Sequence, residues 1–239
     1  MRQPAVKTYR VRTFAELHEV LDCHRPHGGT SWCYRGQPDA GWSIIPKAGR
    51  PDYFTGRDLG RLHHWREQAI AYLPELPIND WECLAIAQHH GLATRLLDWT
   101  LNPLVAAYFA ADSLREVDGM LYCFFPQTYV NSKIATLEAV DRVAAYRPRA
   151  LSLRIVRQAG IFTYHPQLNA PLAPTEIPAP IAGPDLIGIV VPAEFKQSLL
   201  ETLDIYGINQ VNLFPDLDGL SRQVNWETAV EVERRKAHP

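Results

Sequence analysis

The sequence predicts an α+β fold, a single domain in which a central mixed or antiparallel sheet is flanked by helices. Capped helical segments and short apolar or aromatic runs of strand length follow one another without the regular strand–helix–strand rhythm of a parallel α/β protein. The 239 residues, 46% of them hydrophobic, are enough for a substantial core. No internal repeat and no linker divides the chain, so residues 1–239 are read as one unit.

Taken in order, Thr13-Phe-Ala-Glu16 has the spacing of a capping box and opens a helix with Leu17, Val20 and Leu21 on one stripe, fading over residues 24–29. Ser31-Trp-Cys-Tyr-Arg-Gly36 reads as a short aromatic strand that leaves Arg35 at its end, before a loop through Pro38, Gly41, Pro46 and Gly49. Residues 59–73 have apolar positions near helical spacing, with His63, His64, Arg66 and Glu67 on or near the other face. Asn79-Asp-Trp-Glu82 supplies the cap of a further helix that Gly91 terminates, which sets His89 and His90 beside a turn.

Asn102-Pro103 then starts an alanine-rich helix running to about Leu114. Residues 119–125 are a strand, residues 132–145 are expected to be helical, and residues 161–165 extended. The proline-rich run 166–184 is a long irregular loop, of the kind that often forms a lid or binding edge. Residues 186–191 make a buried strand, 193–206 a helix ended by Gly207, 209–214 a last strand and 217–236 a closing helix.

Composition narrows the function. With 24 Lys and Arg against 26 Asp and Glu, the net charge of −2 offers no broad cationic surface for duplex nucleic acid, although a local basic groove is compatible with it. The four cysteines, Cys23, Cys33, Cys83 and Cys123, have no Cys-x-x-Cys spacing and are read as reduced thiols of a cytoplasmic protein. The amino-terminal residues lack the apolar core of a signal peptide, and no apolar run approaches bilayer-spanning length, so no membrane association is expected. No Gly-x-x-x-x-Gly-Lys or Gly-x-Gly-x-x-Gly loop is present, which disfavours ordinary nucleotide hydrolysis. The pairs His63-His64 and His89-His90 have no acidic or cysteine partner at ligand spacing, so no metal site is expected.

The most informative stretch is Gln88-His-His-Gly-Leu-Ala-Thr-Arg-Leu-Leu-Asp-Trp-Thr-Leu-Asn-Pro-Leu-Val-Ala-Ala-Tyr-Phe-Ala110, in which Arg95 and Asp98 are the only full charges. An ion in such apolar company needs a counter-charge, so Arg95 and Asp98 are expected to face each other or a ligand. One reading makes them a structural pair fixing a turn; the other makes them the polar floor of a pocket. Tyr34-Arg35-Gly36-Gln37 joins an aromatic platform to a fixed cation and a glycine that admits close approach of a ligand or of backbone. Arg154-Ile-Val-Arg157-Gln158 repeats the pairing of arginine with glutamine ahead of Phe162. If Arg35, Arg95 and Arg154 converge, their guest is a dianion or a group of carboxylates, with a nucleotide pyrophosphate as the candidate.

These motifs together resemble the FRG domain family, over about residues 10–220. They are Tyr34-Arg35-Gly36-Gln37, the Gln88 to Ala110 stretch, and Arg154 with Gln158, Gly160 and Phe162. The family is frequent in bacteria and phages and its chemistry is uncharacterised. A more distant resemblance is to arginine-type ADP-ribosyltransferases, through the aromatic-Arg-Gly element and the helix that begins at Asn102-Pro103 and continues Leu-Val-Ala-Ala-Tyr-Phe-Ala110. That resemblance implies NAD as substrate, with Arg35 holding the pyrophosphate and Thr94 or Thr100 bracing the site. Phe162, Tyr164 or Trp99 would stack on nicotinamide.

It also implies a carboxylate near the carboxyl end that stabilises an oxocarbenium-like transition state. Glu194 is the best-placed candidate, ahead of Glu176, Glu227 and Glu231, and Asp98 is the substitute. The catalytic candidates are therefore Arg35, Asp98 and Glu194, and the ligand-binding candidates Tyr34, Arg35, Gly36, His90, Thr94, Arg95, Arg154 and Phe162. The leading function is an NAD-using, ADP-ribosyltransferase-like or NAD-cleaving effector, a toxin or phage-defence protein, acting on a protein or nucleic-acid acceptor. The alternatives are a non-catalytic nucleotide- or phosphate-binding module, and an interaction protein whose motifs are core.

Overall fold

The computed structural model describes residues 6–24, 32–73, 77–150, 152–178 and 182–237. Its strands in chain order are β1 (Lys7–Arg10), β2 (Cys33–Gln37), β3 (Leu96–Thr100), β4 (Gly119–Phe124), β5 (Ala144–Tyr146), β6 (Gly160–Tyr164), β7 (Glu176–Ile177), β8 (Gly183–Pro184) and β9 (Leu186–Val191). The helices are α1 (Phe14–Asp22), α2 (Asp58–Ala69), α3 (Asp80–His89), α4 (Pro103–Ala111), α5 (Leu153–Arg157), α6 (Ala193–Ile205), α7 (Gln210–Leu213) and α8 (Leu217–Ala237), with a 3-10 turn at Lys47–Gly49. Seven strands form one sheet in the order β1-β9-β4-β2-β3-β6-β5, while β7 and β8 make a separate small hairpin. Among the described strands β1 and β9 run parallel, and the other neighbouring strands of the large sheet are antiparallel. The fold is thus α+β.

Local chemistry starts most helices. The Thr13 hydroxyl accepts from Glu16 N, as the spacing predicts, while the Glu16 carboxylate accepts from Arg12 N, one residue before the cap. Asn79 caps α3 by accepting from Glu82 N, and Asn102 caps α4 by accepting from Leu104 N ahead of Pro103.

Packing of α4 on the sheet explains the alanines and two of the glycines. A Cβ on Gly36 would lie 2.0 Å from the Ala106 carbonyl oxygen, and one on Gly119 would lie 2.1 Å from that of Ala110. Backbone meets backbone there, so the glycine of the Arg-Gly pair serves helix–sheet contact. Tyr34, Leu121, Cys123, Ile187 and Ile189 pack with α4 and α6 in one core cluster, and Leu96, Phe162 and Tyr164 with α3 in a second. Cys33, Leu97, Trp99, Tyr122, Phe124 and Ile161 build a third, on the opposite face of the sheet, since alternate residues of a strand point to opposite sides. Lys196 of α6 is fully buried, and its ammonium donates to the carbonyls of Pro38, Ser113 and Leu114 at 2.6, 3.0 and 2.9 Å, fastening α6 to the ends of β2 and α4.

Three sequence expectations are corrected. The segment around residues 96–100 is the strand β3, paired along its whole length with β6 from Leu96↔Tyr164 to Thr100↔Gly160, and is not a turn between helices. Residues 132–143 contain no helix, and residues 144–146 are the edge strand β5. The carbonyls of Ser132, Ala135 and Leu137 accept from Asn79, Trp81 and Tyr164, so tertiary donors take oxygens that a helix would need. Residues 209–214 form the short helix α7 in place of a strand, because the Asn209 side chain accepts from Asn212 N and starts a helical turn. The strand β1 was not anticipated, and Ser31 lies outside the described residues. No described helix is long and apolar enough to cross a membrane.

Candidate functional site

β2 and β3 share a single register pair, Tyr34 with Thr100. Beyond it the Arg35 side chain bridges the two strands, with Nη1 donating to the Asp98 main-chain oxygen at 2.7 Å and Nε to Gln37 Oε1 at 3.3 Å. A cavity of about 320 Å³ opens beside this junction. Tyr34, Arg35 and Gly36 come to it from β2, Asp98, Trp99 and Thr100 from β3, and Gly160 and Phe162 from β6. Gln88 and His89 close it from the end of α3, Phe109 from α4, and Arg154, Ile155 and Gln158 from α5 and its carboxyl end.

The electrostatics are unbalanced toward positive charge. Among the described residues Arg35 forms no ion pair. Burial pulls its guanidinium below the ordinary value, Asp98 opposes that, and Arg50 reinforces it. Arginine nonetheless stays protonated in proteins, so a fixed cation adjoins the cavity. Arg154 is exposed at the rim, its guanidinium 4.7 Å from the centre of the Phe214 ring, which has Arg222 at 4.9 Å as well. Asp98 is the single carboxylate among the lining residues and is solvent-accessible. His89 is held below its usual value by burial and then by His90 and Arg154, against Asp98, which keeps its imidazole neutral at neutral pH.

A polar frame fixes this wall. The Thr94 hydroxyl donates to Gln88 Oε1 at 2.6 Å, and Gln88 Nε2 donates to Asp98 Oδ2 at 3.1 Å. The Thr100 hydroxyl donates to the Gln158 carbonyl at 2.6 Å, and Gln158 Nε2 donates to the Leu213 carbonyl at 3.2 Å, which ties α5 to α7. Trp99 Nε1 donates to Thr163 Oγ1 at 2.8 Å, and that oxygen lies 2.9 Å from His165 Nε2. His165 is 1% exposed, and burial, followed by Arg35, pushes it down to about 4.

Of the residues singled out from sequence, Tyr34, Arg35, Gly36, Asp98, Arg154 and Phe162 line this one cavity, as do Trp99 and Thr100. Arg95 does not, and its expected pairing with Asp98 is corrected. Arg95 Nε and Nη2 donate to the two carboxylate oxygens of Asp58, both at 2.6 Å, and Nη1 donates to the Tyr164 hydroxyl at 3.0 Å. Asp58 begins α2, so the counter-charge comes from 37 residues upstream. His90 is exposed, its ring edge-on to that of His89, and it is His89 that lines the cavity. Thr94 is buried behind Gln88, and Tyr164 lies under Arg95.

Glu194 is exposed in the first turn of α6 and is not among the lining residues. Glu176 is on β7, and Glu227 and Glu231 are on α8, bonded to Gln223 and Arg235. Gln88, His89, Phe109 and Gln158 were not singled out as site residues; the first three belong to the central motif, and Gln158 was quoted with Arg154. Among the described residues no three His, Cys, Asp or Glu side chains group as a metal site.

Compared with known proteins, the chain matches the FRG domain family model over residues 30–119. No curated protein and no solved structure matches it.

Proposed function

Taking residues 30–119 as an FRG domain, we propose that its arginine-lined cavity binds a phosphorylated nucleotide such as NAD and that the protein acts on it as an ADP-ribosyltransferase-like or NAD-cleaving effector. The observation that supports this reading is the Arg35 guanidinium. It spends N–H groups on one carbonyl and one amide, has no carboxylate partner among the described residues, and belongs to a residue that lines the cavity. A phosphate is the complementary guest, because charge-assisted bonds to guanidinium are about twice as strong as neutral ones. Tyr34, Phe109 and Phe162 offer ring surfaces for a flat heterocycle, and Arg154 offers a second cation at the rim.

In this reading the carboxylate of the site is Asp98. With Oδ2 engaged by Gln88, its other oxygen is available to accept from a ribose hydroxyl and to stabilise positive charge developing at the adjacent carbon. Glu194 has no part in it from its place on α6.

The test is incubation of the purified protein with NAD, following nicotinamide release, beside thermal-shift measurements with NAD and ADP-ribose. Turnover lost in Arg35→Ala and Asp98→Asn supports the reading, and a melting temperature unmoved by either ligand refutes it. A shift without product favours the second reading, a non-catalytic nucleotide-binding module. The shortage of carboxylates around the cavity speaks for that alternative.

A further inference from the structure

A second cavity, of about 600 Å³, opens on the face of the sheet turned away from α4. Phe124, Val143 and His165 line it from the sheet side, and Pro166, Pro171 and Leu172 from the proline-rich loop. That loop is a fastened wall. Leu172 N donates to the Ile44 carbonyl at 3.0 Å, and Thr175 N and Oγ1 donate to the Asp185 carboxylate at 2.6 and 2.5 Å. A fixed cavity of this size, apolar with a few polar atoms, has the character of a small-molecule site.

One buried side chain in its wall has an unused donor. The Trp99 indole can only donate, so the Thr163 oxygen accepts from it at 2.8 Å and the hydroxyl hydrogen remains to be placed. Thr163 is fully buried, and the acceptor beside it is His165 Nε2 at 2.9 Å. Nε2 is therefore the bare nitrogen of the ring and Nδ1 carries the hydrogen. Burial holds the imidazole uncharged at neutral pH. Nδ1 has no hydrogen-bond partner among the described residues, although His165 is 1% exposed and lines the cavity. A buried N–H is ordinarily matched by an acceptor, which points to the contents of the cavity.

Charge selects the kind of acceptor. Asp141 and Asp185 line the space against one arginine, Arg142, whose Nε already bonds Asp141 at 3.2 Å, so an anion is disfavoured. Gln127 turns its amide nitrogen to Thr175 Oγ1 at 2.9 Å, which leaves Oε1 without a partner among the described residues and able to accept. We propose that this cavity is a second ligand site, for an uncharged amide or heterocycle whose carbonyl oxygen accepts from His165 Nδ1 and whose N–H donates to Gln127 Oε1. Phe124 and the prolines supply apolar surface for its ring. The site lies on the other face of the sheet from the cavity beside Arg35 and does not rest on how that cavity is used.

Benzamide is the probe and benzoate, its charged analogue, the control. Long-range proton–nitrogen correlation spectra of the full chain at neutral pH should place the His165 hydrogen on Nδ1; a hydrogen on Nε2 overturns the proposal. Benzamide should shift the His165 nitrogens with a Kd of about 1 mM or below, and benzoate should bind roughly tenfold more weakly. For the variants, binding is followed on the resonances of the probe. Gln127→Leu and His165→Phe should each weaken benzamide roughly tenfold, and Ala173→Trp, which puts an indole into the cavity, should abolish binding. Should His165→Phe fail to fold, the other two variants decide. Absence of a benzamide shift, equal binding of benzoate, or binding that survives Ala173→Trp overturns the proposal and leaves a water-filled cleft.

Discussion

Replacing Asp58 by alanine should cost far more than the same change at Asp98, although it is Asp98 that the sequence offers as the counter-charge of Arg95. Asp58 is 4% exposed at its side chain and Arg95 is 13% exposed, and two bonds of 2.6 Å join them. Removal of Asp58 strands a guanidinium in the company of Tyr164, whose hydroxyl is already donating to the Leu137 carbonyl at 2.6 Å. Stripping one partner from a buried pair costs about 3 to 5 kcal/mol, a large part of the ~5–15 kcal/mol that stabilises an ordinary domain. For a chain of this size that corresponds to a fall in Tm of roughly 6 to 20 °C.

Asp98 is exposed and, among the described residues, its carboxylate is bonded to Gln88, so Asp98→Ala should cost under about 1 kcal/mol. Urea denaturation of the two variants, monitored by tryptophan fluorescence, measures both numbers. Equal losses, or a smaller loss at Asp58, would refute the assignment of Arg95 to Asp58.

His165 titrates in the folded protein near 4 rather than at 6.5, so the unfolded chain takes up its proton first on acidification. Its contribution is complete above pH 6.5 and is lost as the pH falls through about 4. His165→Gln should accordingly remove roughly 3 kcal/mol of the acid-side decline in unfolding free energy; an unaltered slope between those values contradicts this. Gly36→Ala should lower stability by about 3 kcal/mol or more, because the new methyl meets the Ala106 carbonyl and α4 must lift, and a Tm within 2 °C of the parent would count against that contact. Ala159, at φ 47° between α5 and β6, adopts a conformation that favours glycine. Ala159→Gly should raise stability by about 1 kcal/mol in the same denaturation assay, and a loss would refute it.

The elements that could be read from sequence are those written in local chemistry. The caps at Thr13, Asn79 and Asn102 and the proline at the start of α4 act within one turn, so α1, α3 and α4 followed from short windows of sequence. β3 did not, because Leu-Leu-Asp-Trp-Thr is too short to show a period, and only β6, some 60 residues later, supplies its ladder. The same distance problem hid Asp58 from Arg95. In the cavity, Tyr34, Arg35, Gly36, Asp98, Arg154 and Phe162 were each noticeable as a charge, ring or glycine out of keeping with its neighbours. Gln88 and Gln158 are neutral amides, and their importance lies in the direction in which they donate, which a linear string does not display.

The stretch that sequence comparison recognises, residues 30–119, holds β2 and β3 but stops at the first residue of β4. Those two strands meet at one register pair, whereas β2 has five pairs with β4 and β3 has five with β6. Cut out by itself, the recognised segment would expose two unzipped edges and shed the Arg154 and Phe162 side of its cleft. Its boundaries as a signature and its boundaries as something that folds are therefore different. A shuffling event that kept the former while exchanging residues 153–162 would preserve the bond from Arg35 to the Asp98 main chain and replace the opposite wall of the cavity.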